Sequence, residues 1–190
     1  MKRLAIFASG SGSNAEQITK YFHNKQSGVS VELILTNKSN AFVLERAKKL
    51  GVETKVFDRD AFYHSDKIVD LLKSKDIDLV VLAGFLWLVP KNLIAEFPDR
   101  IINIHPALLP KYGGKGMYGH HVHEAVVANS EKETGITIHL VDEVYDNGDI
   151  LRQEKCEVSD ADTPDQVAEK IHELEYEHFP KTIEEYLSKI

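Results

Sequence analysis

The sequence predicts an α/β fold: a mixed, mostly parallel sheet with helices on both faces. Three observations carry that expectation. Short apolar runs alternate with stretches of helical spacing through the first half of the chain. One of them, Asp78-Leu79-Val80-Val81-Leu82-Ala83, is continuously apolar after its first residue, as in a parallel strand buried on both faces. Later, Gly135 to Val141 and Ile150 to Val158 read as two strands joined by a turn, an antiparallel pair added to that sheet.

Taken in order, Leu4 to Ala8 is a strand, Asn14 to Lys25 a helix, and Val31 to Thr36 a second strand rich in β-branched and leucine side chains. Ala41 to Leu50 has helical spacing and ends at Gly51, which suits the left-handed position after a helix. Thr54 to Phe57 is a short strand, and Asp60 to Lys75 is one helix with its spacing carried by Ile68, Leu71 and Leu72. A short helix from Pro90 to Phe97 leads into the strand Arg100 to His105. Lys111 to Gly119 holds four glycines in nine residues and is a loop, followed by a helix from His121 to Ala128. Pro164 opens a long helix to about Lys189, with an interruption expected at Pro180. No repeat, low-complexity tract or linker divides the chain, so residues 1–190 are expected to form a single Rossmann-like domain, with its ligand crevice at the carboxyl ends of the parallel strands.

Apolar residues at 43% and charged residues at 28% belong to a water-soluble globular chain. The formal net charge of -7, with no block of Lys or Arg, argues against nucleic acid or an anionic membrane as partner. Any anionic ligand must therefore be captured locally. The lone Cys156 excludes an internal disulfide framework and fits a reducing, cytoplasmic setting. The N-terminus enters a strand at once, and no apolar stretch reaches membrane-spanning length, so neither a signal peptide nor a transmembrane helix is expected.

The chemistry concentrates in Asn103-Ile104-His105-Pro106-Ala107-Leu108-Leu109-Pro110. Asn103 and His105 share one face at the end of a strand that stops at a proline. An amide donates to a developing oxyanion and an imidazole handles a proton, which is the equipment of acyl transfer. No Ser or Cys nucleophile is built into the string, so the attacking group is expected from a substrate, which makes the pattern one of group transfer. Asp146, in the turn Tyr145-Asp146-Asn147-Gly148-Asp149, supplies a carboxylate to orient the imidazole and raise its pKa above the reference of about 6.5. Alone, that aspartate would be ordinary turn chemistry.

Ser9-Gly10-Ser11-Gly12-Ser13-Asn14-Ala15 follows the first strand and opens the first helix, which places backbone N–H groups where a phosphate would sit. A dinucleotide site would want an acidic residue at the end of the second strand, where this chain has Thr36-Asn37-Lys38. The loop therefore reads as a site for a phosphate monoester, built from Gly10, Ser11, Gly12, Ser13 and Asn14. His120, His121 and His123, even with His139, match no zinc spacing, and no metal is expected. Apolar and aromatic residues from Phe85 to Val89 would suit a flat heterocycle or simple core packing.

With these residues the chain resembles the folate-dependent formyltransferase family, and within it the enzymes that pass a formyl group from 10-formyltetrahydrofolate to the amine of 5-phosphoribosylglycinamide in purine biosynthesis. The match runs from Ile6 to about Pro180 and includes the serine-glycine loop, Asn37-Lys38, Leu44-Glu45-Arg46-Ala47, Val81-Leu82-Ala83-Gly84-Phe85, the Asn103 to Tyr112 segment and the Asp146 turn. The resemblance implies that Asn103 holds the formyl oxygen, His105 transfers a proton and Asp146 keeps the imidazole charged and oriented. It implies phosphate binding at Gly12, Ser13 and Asn14, and contact with the glycinamide substrate by His172 and Glu175. For the folate it implies Arg59, the segment Leu86-Trp87-Leu88-Val89, and Asp142-Glu143-Val144-Tyr145. Folate enters as cosubstrate and small molecules are the partners. The chain departs from the family pattern in its longer Lys111 to Gly119 loop and in Trp87, where some relatives carry arginine. The rival readings are formyltetrahydrofolate hydrolysis, with water replacing the amine, and a non-catalytic nucleotide-binding module on the same crevice.

Overall fold

The computed structural model describes residues 1–25 and 27–190. Seven strands form one sheet: β1 (Lys2–Phe7), β2 (Val29–Thr36), β3 (Glu53–Val56), β4 (Leu79–Leu82), β5 (Ile101–His105), β6 (Glu133–Leu140) and β7 (Ile150–Glu157). Their spatial order is β3-β2-β1-β4-β5-β6-β7. The first five run parallel, β6 runs antiparallel to β5, and β7 runs antiparallel to β6 and so returns to the direction of the first five. Chain direction across the sheet switches between β1 and β4, where the loops after the two strands part and leave a crevice.

Alternation along the central strands fills two cores. Leu4 and Ile6 of β1 face one side, covered by α1 (Ser13–Lys25), α6 (His120–Ala128) and α7 (Pro164–Leu187). Ala5 and Phe7 face the other, with α3 (Arg59–Tyr63), α4 (Lys67–Ser74) and α5 (Lys91–Glu96). Phe7 packs edge-on against Phe57 and Phe85 at 5.8 and 5.3 Å between centroids, a cluster that stiffens the floor beneath the crevice. The remaining helix, α2 (Val43–Leu50), closes as expected at Gly51, whose φ of 69° is left-handed.

Two expectations fail. The segment from Asp60 to Lys75 is not one helix: it breaks between Tyr63 and Lys67. Ser65 Oγ bonds back to the Ala61 carbonyl at 3.2 Å and Asp66 accepts from Asn92 Nδ2 on α5 at 2.8 Å, so side-chain bonds, one of them from another helix, replace a helical turn. Pro180 does not interrupt α7, which runs unbroken from Pro164 to Leu187. The proline is buried, and the helix is anchored at its start by the reciprocal cap of Thr163 and Gln166. No helix among the described residues is long and apolar enough to cross a membrane.

Candidate active site

The loop after β1 delivers Ser9 to Gly12 onto the N-terminus of α1. Gly12 has a φ of 71°, and a Cβ there would lie 2.2 Å from Val43 Cγ2, so both backbone and space demand glycine. Ser9 Oγ donates to Asn37 Oδ1 at 2.7 Å and accepts from the Leu86 N–H at 3.1 Å, which ties the loop to the ends of β2 and β4. Gly10, Ser11, Gly12, Ser13 and Asn14 all line a cavity of about 380 Å³ whose lining also includes Asn103. The helix N-terminus offers N–H groups and a partial positive charge to an anion. Lys38, which the sequence reading did not assign, adds a cation to the same wall.

His172 and Glu175 line this cavity too. Glu175 is 7% exposed and accepts from Asn14 Nδ2 at 2.9 Å. Burial pushes its carboxyl up to about 7, against the opposing pull of the Asn14 bond.

Asn103 of β5 lies in register with His139 of β6. His139 Nδ1 sits 2.7 Å from the Leu140 carbonyl, which only accepts, so Nδ1 carries a proton; in the neutral ring Nε2 then presents a lone pair to Asn103, and in the charged ring it turns an N–H toward Asp146 Oδ1, 3.7 Å away. The Asn103 group 3.1 Å from that lone pair must then be its NH2, with one N–H bonded to His139 and the second free. One weak signal pointed to His139, its polarity within an apolar strand.

The structure brings His105 and Asp146 together, with His105 Nδ1 3.5 Å from Asp146 Oδ1. His105 Nε2 is 2.7 Å from the Tyr112 carbonyl, so it carries a proton and leaves Nδ1 facing the carboxylate. The expected rise in the imidazole pKa is overturned: it is lowered. At 3% exposure, burial outweighs the opposing effects of Asp146 and the Tyr112 bond, and His139 adds to the lowering. For Asp146, burial pushes the carboxyl up, but His139, His105 and the Gly114 N–H at 2.9 Å together hold it below the ordinary aspartate range. Its φ of 54° turns the side chain inward from a loop.

A second cavity, about 370 Å³, opens on the other side of Asn103. Leu86, Trp87, Leu88 and Val89 form one wall, and Asp142, Val144, Tyr145 and Asp146 the other. Asn103, Phe85, Leu86 and Tyr118 belong to both cavities, so ligands in the two would meet at the free N–H of Asn103. Three expected site residues stand elsewhere. Arg59 lies over the Trp87 ring at 5.2 Å and faces a separate groove, Glu143 pairs with Lys91 at 2.7 Å on the surface, and His105 sits behind the lining of both cavities. Among the described residues no three His, Cys, Asp or Glu side chains are grouped to hold a metal ion.

Comparison with known proteins adds a family. A model described as formyl transferase matches residues 2–183. The phosphoribosylglycinamide formyltransferase of Bacillus subtilis (strain 168) is 33% identical over 191 aligned residues, covering 98% of this chain and 95% of that protein. The chloroplastic enzyme of the same name from Arabidopsis thaliana is 40% identical over 187 residues, covering 96% of this chain, which spans only 64% of that relative's length. The crystal structure of phosphoribosylglycinamide formyltransferase from Bacillus halodurans superposes with a TM-score of 0.89 at 40% identity, covering 99% of this chain and 96% of that one.

Proposed function

The chain belongs to the formyl transferase family, and from that premise we propose that it transfers the formyl group of 10-formyltetrahydrofolate to the amine of 5-phosphoribosylglycinamide, as a cytoplasmic enzyme of purine biosynthesis whose residues 1–190 form one catalytic domain. The observation that carries this reading is the meeting of a phosphate-suited cavity and an apolar cavity at Asn103.

The phosphate rests on the Gly10 to Asn14 loop, with Lys38 beside it, and His172 and Glu175 hold the body of the substrate. The apolar wall from Phe85 to Val89 fits the flat heterocycle of the folate, and the Val141 to Asp146 turn closes over it. Arg59, stacked on Trp87 of the cavity wall, is the cation we assign to the folate's acidic tail.

The amine attacks the formyl carbon, and the free N–H of Asn103 donates to the oxygen as it gains negative charge. His139 holds that amide in the donating orientation, so no reorganisation is needed as the charge develops. His105 is neutral at rest and takes up on Nδ1 the proton that the attacking amine loses, where the Asp146 carboxylate stabilises it. As the tetrahedral intermediate collapses, the bond from the formyl carbon to the folate nitrogen breaks, that proton returns to the folate nitrogen, and tetrahydrofolate leaves. Asp146 itself lines the folate-side cavity and connects the reacting centre to the histidine behind it. No step calls for a metal.

The test is one assay: formylation of phosphoribosylglycinamide with 10-formyltetrahydrofolate, with folate hydrolysis measured when the amine is omitted. Transfer that exceeds hydrolysis by orders of magnitude is expected. Hydrolysis at the same rate without amine would identify a hydrolase, and neither reaction would leave a binding module.

A further inference from the structure

The substrate cavity contains a buried imidazole that the reaction above does not use. His123 of α6 is 4% exposed and lines the cavity beside His172, Glu175 and Tyr118. Its Nδ1 is sealed from solvent and has no hydrogen-bond partner. Such an atom, stripped of water with nothing in exchange, destabilises the fold. Its helical neighbours Val122 and Val126 are apolar and fully packed, so an apolar side chain at 123 would avoid that cost. The other side-chain atom in this condition among the described residues is Ser27 Oγ, next to the start of β2 at the opposite end of the strands from the crevice.

The charges around His123 define its working form. Burial, with His172 on α7 and His120 on its own helix, pushes its pKa down to about 4, so near neutral pH the ring is uncharged. A neutral imidazole presents one donor and one acceptor. It offers little attraction to a phosphate, but it pairs well with a hydroxyl, which both gives and receives a hydrogen bond. We propose that His123 is a specificity residue for the phosphorylated substrate, hydrogen-bonding a ribose hydroxyl between the phosphate loop and Asn103.

This inference rests on reading the cavity as the phosphoribosylglycinamide site. With the phosphate at Gly10 to Asn14 and the amine at Asn103, the ribose is the part of the substrate left to face the rest of the cavity, whose lining includes Glu175, His172 and His123. Because Nδ1 is sealed where it stands, a half-turn of the ring is what presents it to the cavity its residue lines, and the sugar hydroxyl then gives that nitrogen its missing partner.

The experiment measures dissociation constants by calorimetry for phosphoribosylglycinamide, for two analogues each lacking one ribose hydroxyl, and for a non-reactive folate analogue. The proteins are wild type, His123→Phe and His123→Asn. His123→Phe should bind phosphoribosylglycinamide roughly tenfold more weakly, the loss of one hydrogen bond, with folate affinity unchanged. Against one of the two deoxy analogues it should lose nothing further, because the partner is already missing. His123→Asn, whose amide reaches close to the Nδ1 position, should recover part of the loss, and it carries the same comparison if the phenylalanine does not fold. Equal losses on the parent and both analogues would reduce His123 to packing and overturn the proposal. So would unchanged affinity in a variant whose wild type binds and formylates the substrate. A wild type that binds the folate analogue but not phosphoribosylglycinamide would overturn the functional reading, and this inference with it.

Discussion

Replacing Glu175 with glutamine tests the electrostatics of the substrate cavity on the free protein. The carboxyl is 7% exposed, accepts from Asn14 Nδ2 at 2.9 Å, and is displaced by burial from an ordinary 4.5 to about 7. A group protonated more readily in the folded than in the unfolded state stabilises the fold below its unfolded value, and that stabilisation is lost as pH rises through its folded value. Each pH unit separating the two values is worth about 1.4 kcal/mol, so the displacement amounts to about 3 kcal/mol. Glutamine keeps the Asn14 bond through its carbonyl oxygen and cannot ionise. Glu175→Gln should therefore match the wild type near pH 4.5 and exceed its stability by about 3 kcal/mol near pH 8.5. Equilibrium urea unfolding at the two pH values reads this directly, provided the slopes agree. Parallel pH profiles for the two proteins would refute the argument. The stabilised variant should also bind phosphoribosylglycinamide more weakly, the pattern of a residue placed for its ligand at the fold's expense.

Asn103→Ala should lower turnover by about 10²–10³-fold while folate affinity holds, because the lost N–H serves the developing oxyanion; an equal loss of ground-state binding would move its role from the transition state to recognition. The His105 imidazole should titrate below its ordinary 6.5 by NMR, and Asp146→Asn should lower it further, since the carboxylate is what opposes burial; a rise in the variant would contradict that sign. His105→Ala combined with Asp146→Ala should be little worse than the worse single change, and fully multiplicative losses would mean that Asp146 acts alone. Gly12→Ala should cost about 1–3 kcal/mol of stability as well as substrate affinity, because its Cβ would meet Val43 at 2.2 Å; a melting temperature equal to wild type would show that the loop relaxes.

The fold was readable where one physical signal dominated. Leu79 to Leu82 announce a doubly buried strand by continuous apolarity, and Pro164 announces a helix start because its fixed φ suits the first helical position. The break at Tyr63 to Lys67 was not readable, because Phe62, Ile68, Val69 and Leu72 keep helical spacing across it while the bonds that break it come from Asn92 on another element. The site followed the same rule. Asn103 and His105 are two residues apart on one strand, so their shared face is local information. His139, Lys38 and His123 reach the site through strand pairing, a neighbouring loop and helix packing, which no spacing within a single segment encodes. The lowered pKa of His105 escapes the sequence for a related reason: the charge beside it is visible there, and the depth at which it is buried is not.

The pairing of Asn103 with His139 across β5 and β6 gives the site two grades of mechanical security. That pair is locked into the ladder of a central strand, so it survives until the whole sheet comes apart. The aspartate arrives by another route, on a loop held through the backbone of Gly114 in a second, glycine-rich loop. Gentle opening of those two loops would strip the carboxylate from His105 while the amide and its imidazole stay in place. Native-state hydrogen exchange should then reveal a low-energy excursion confined to residues 111–119 and 141–149, in which the protein is folded, still able to cradle a phosphate, and chemically silent.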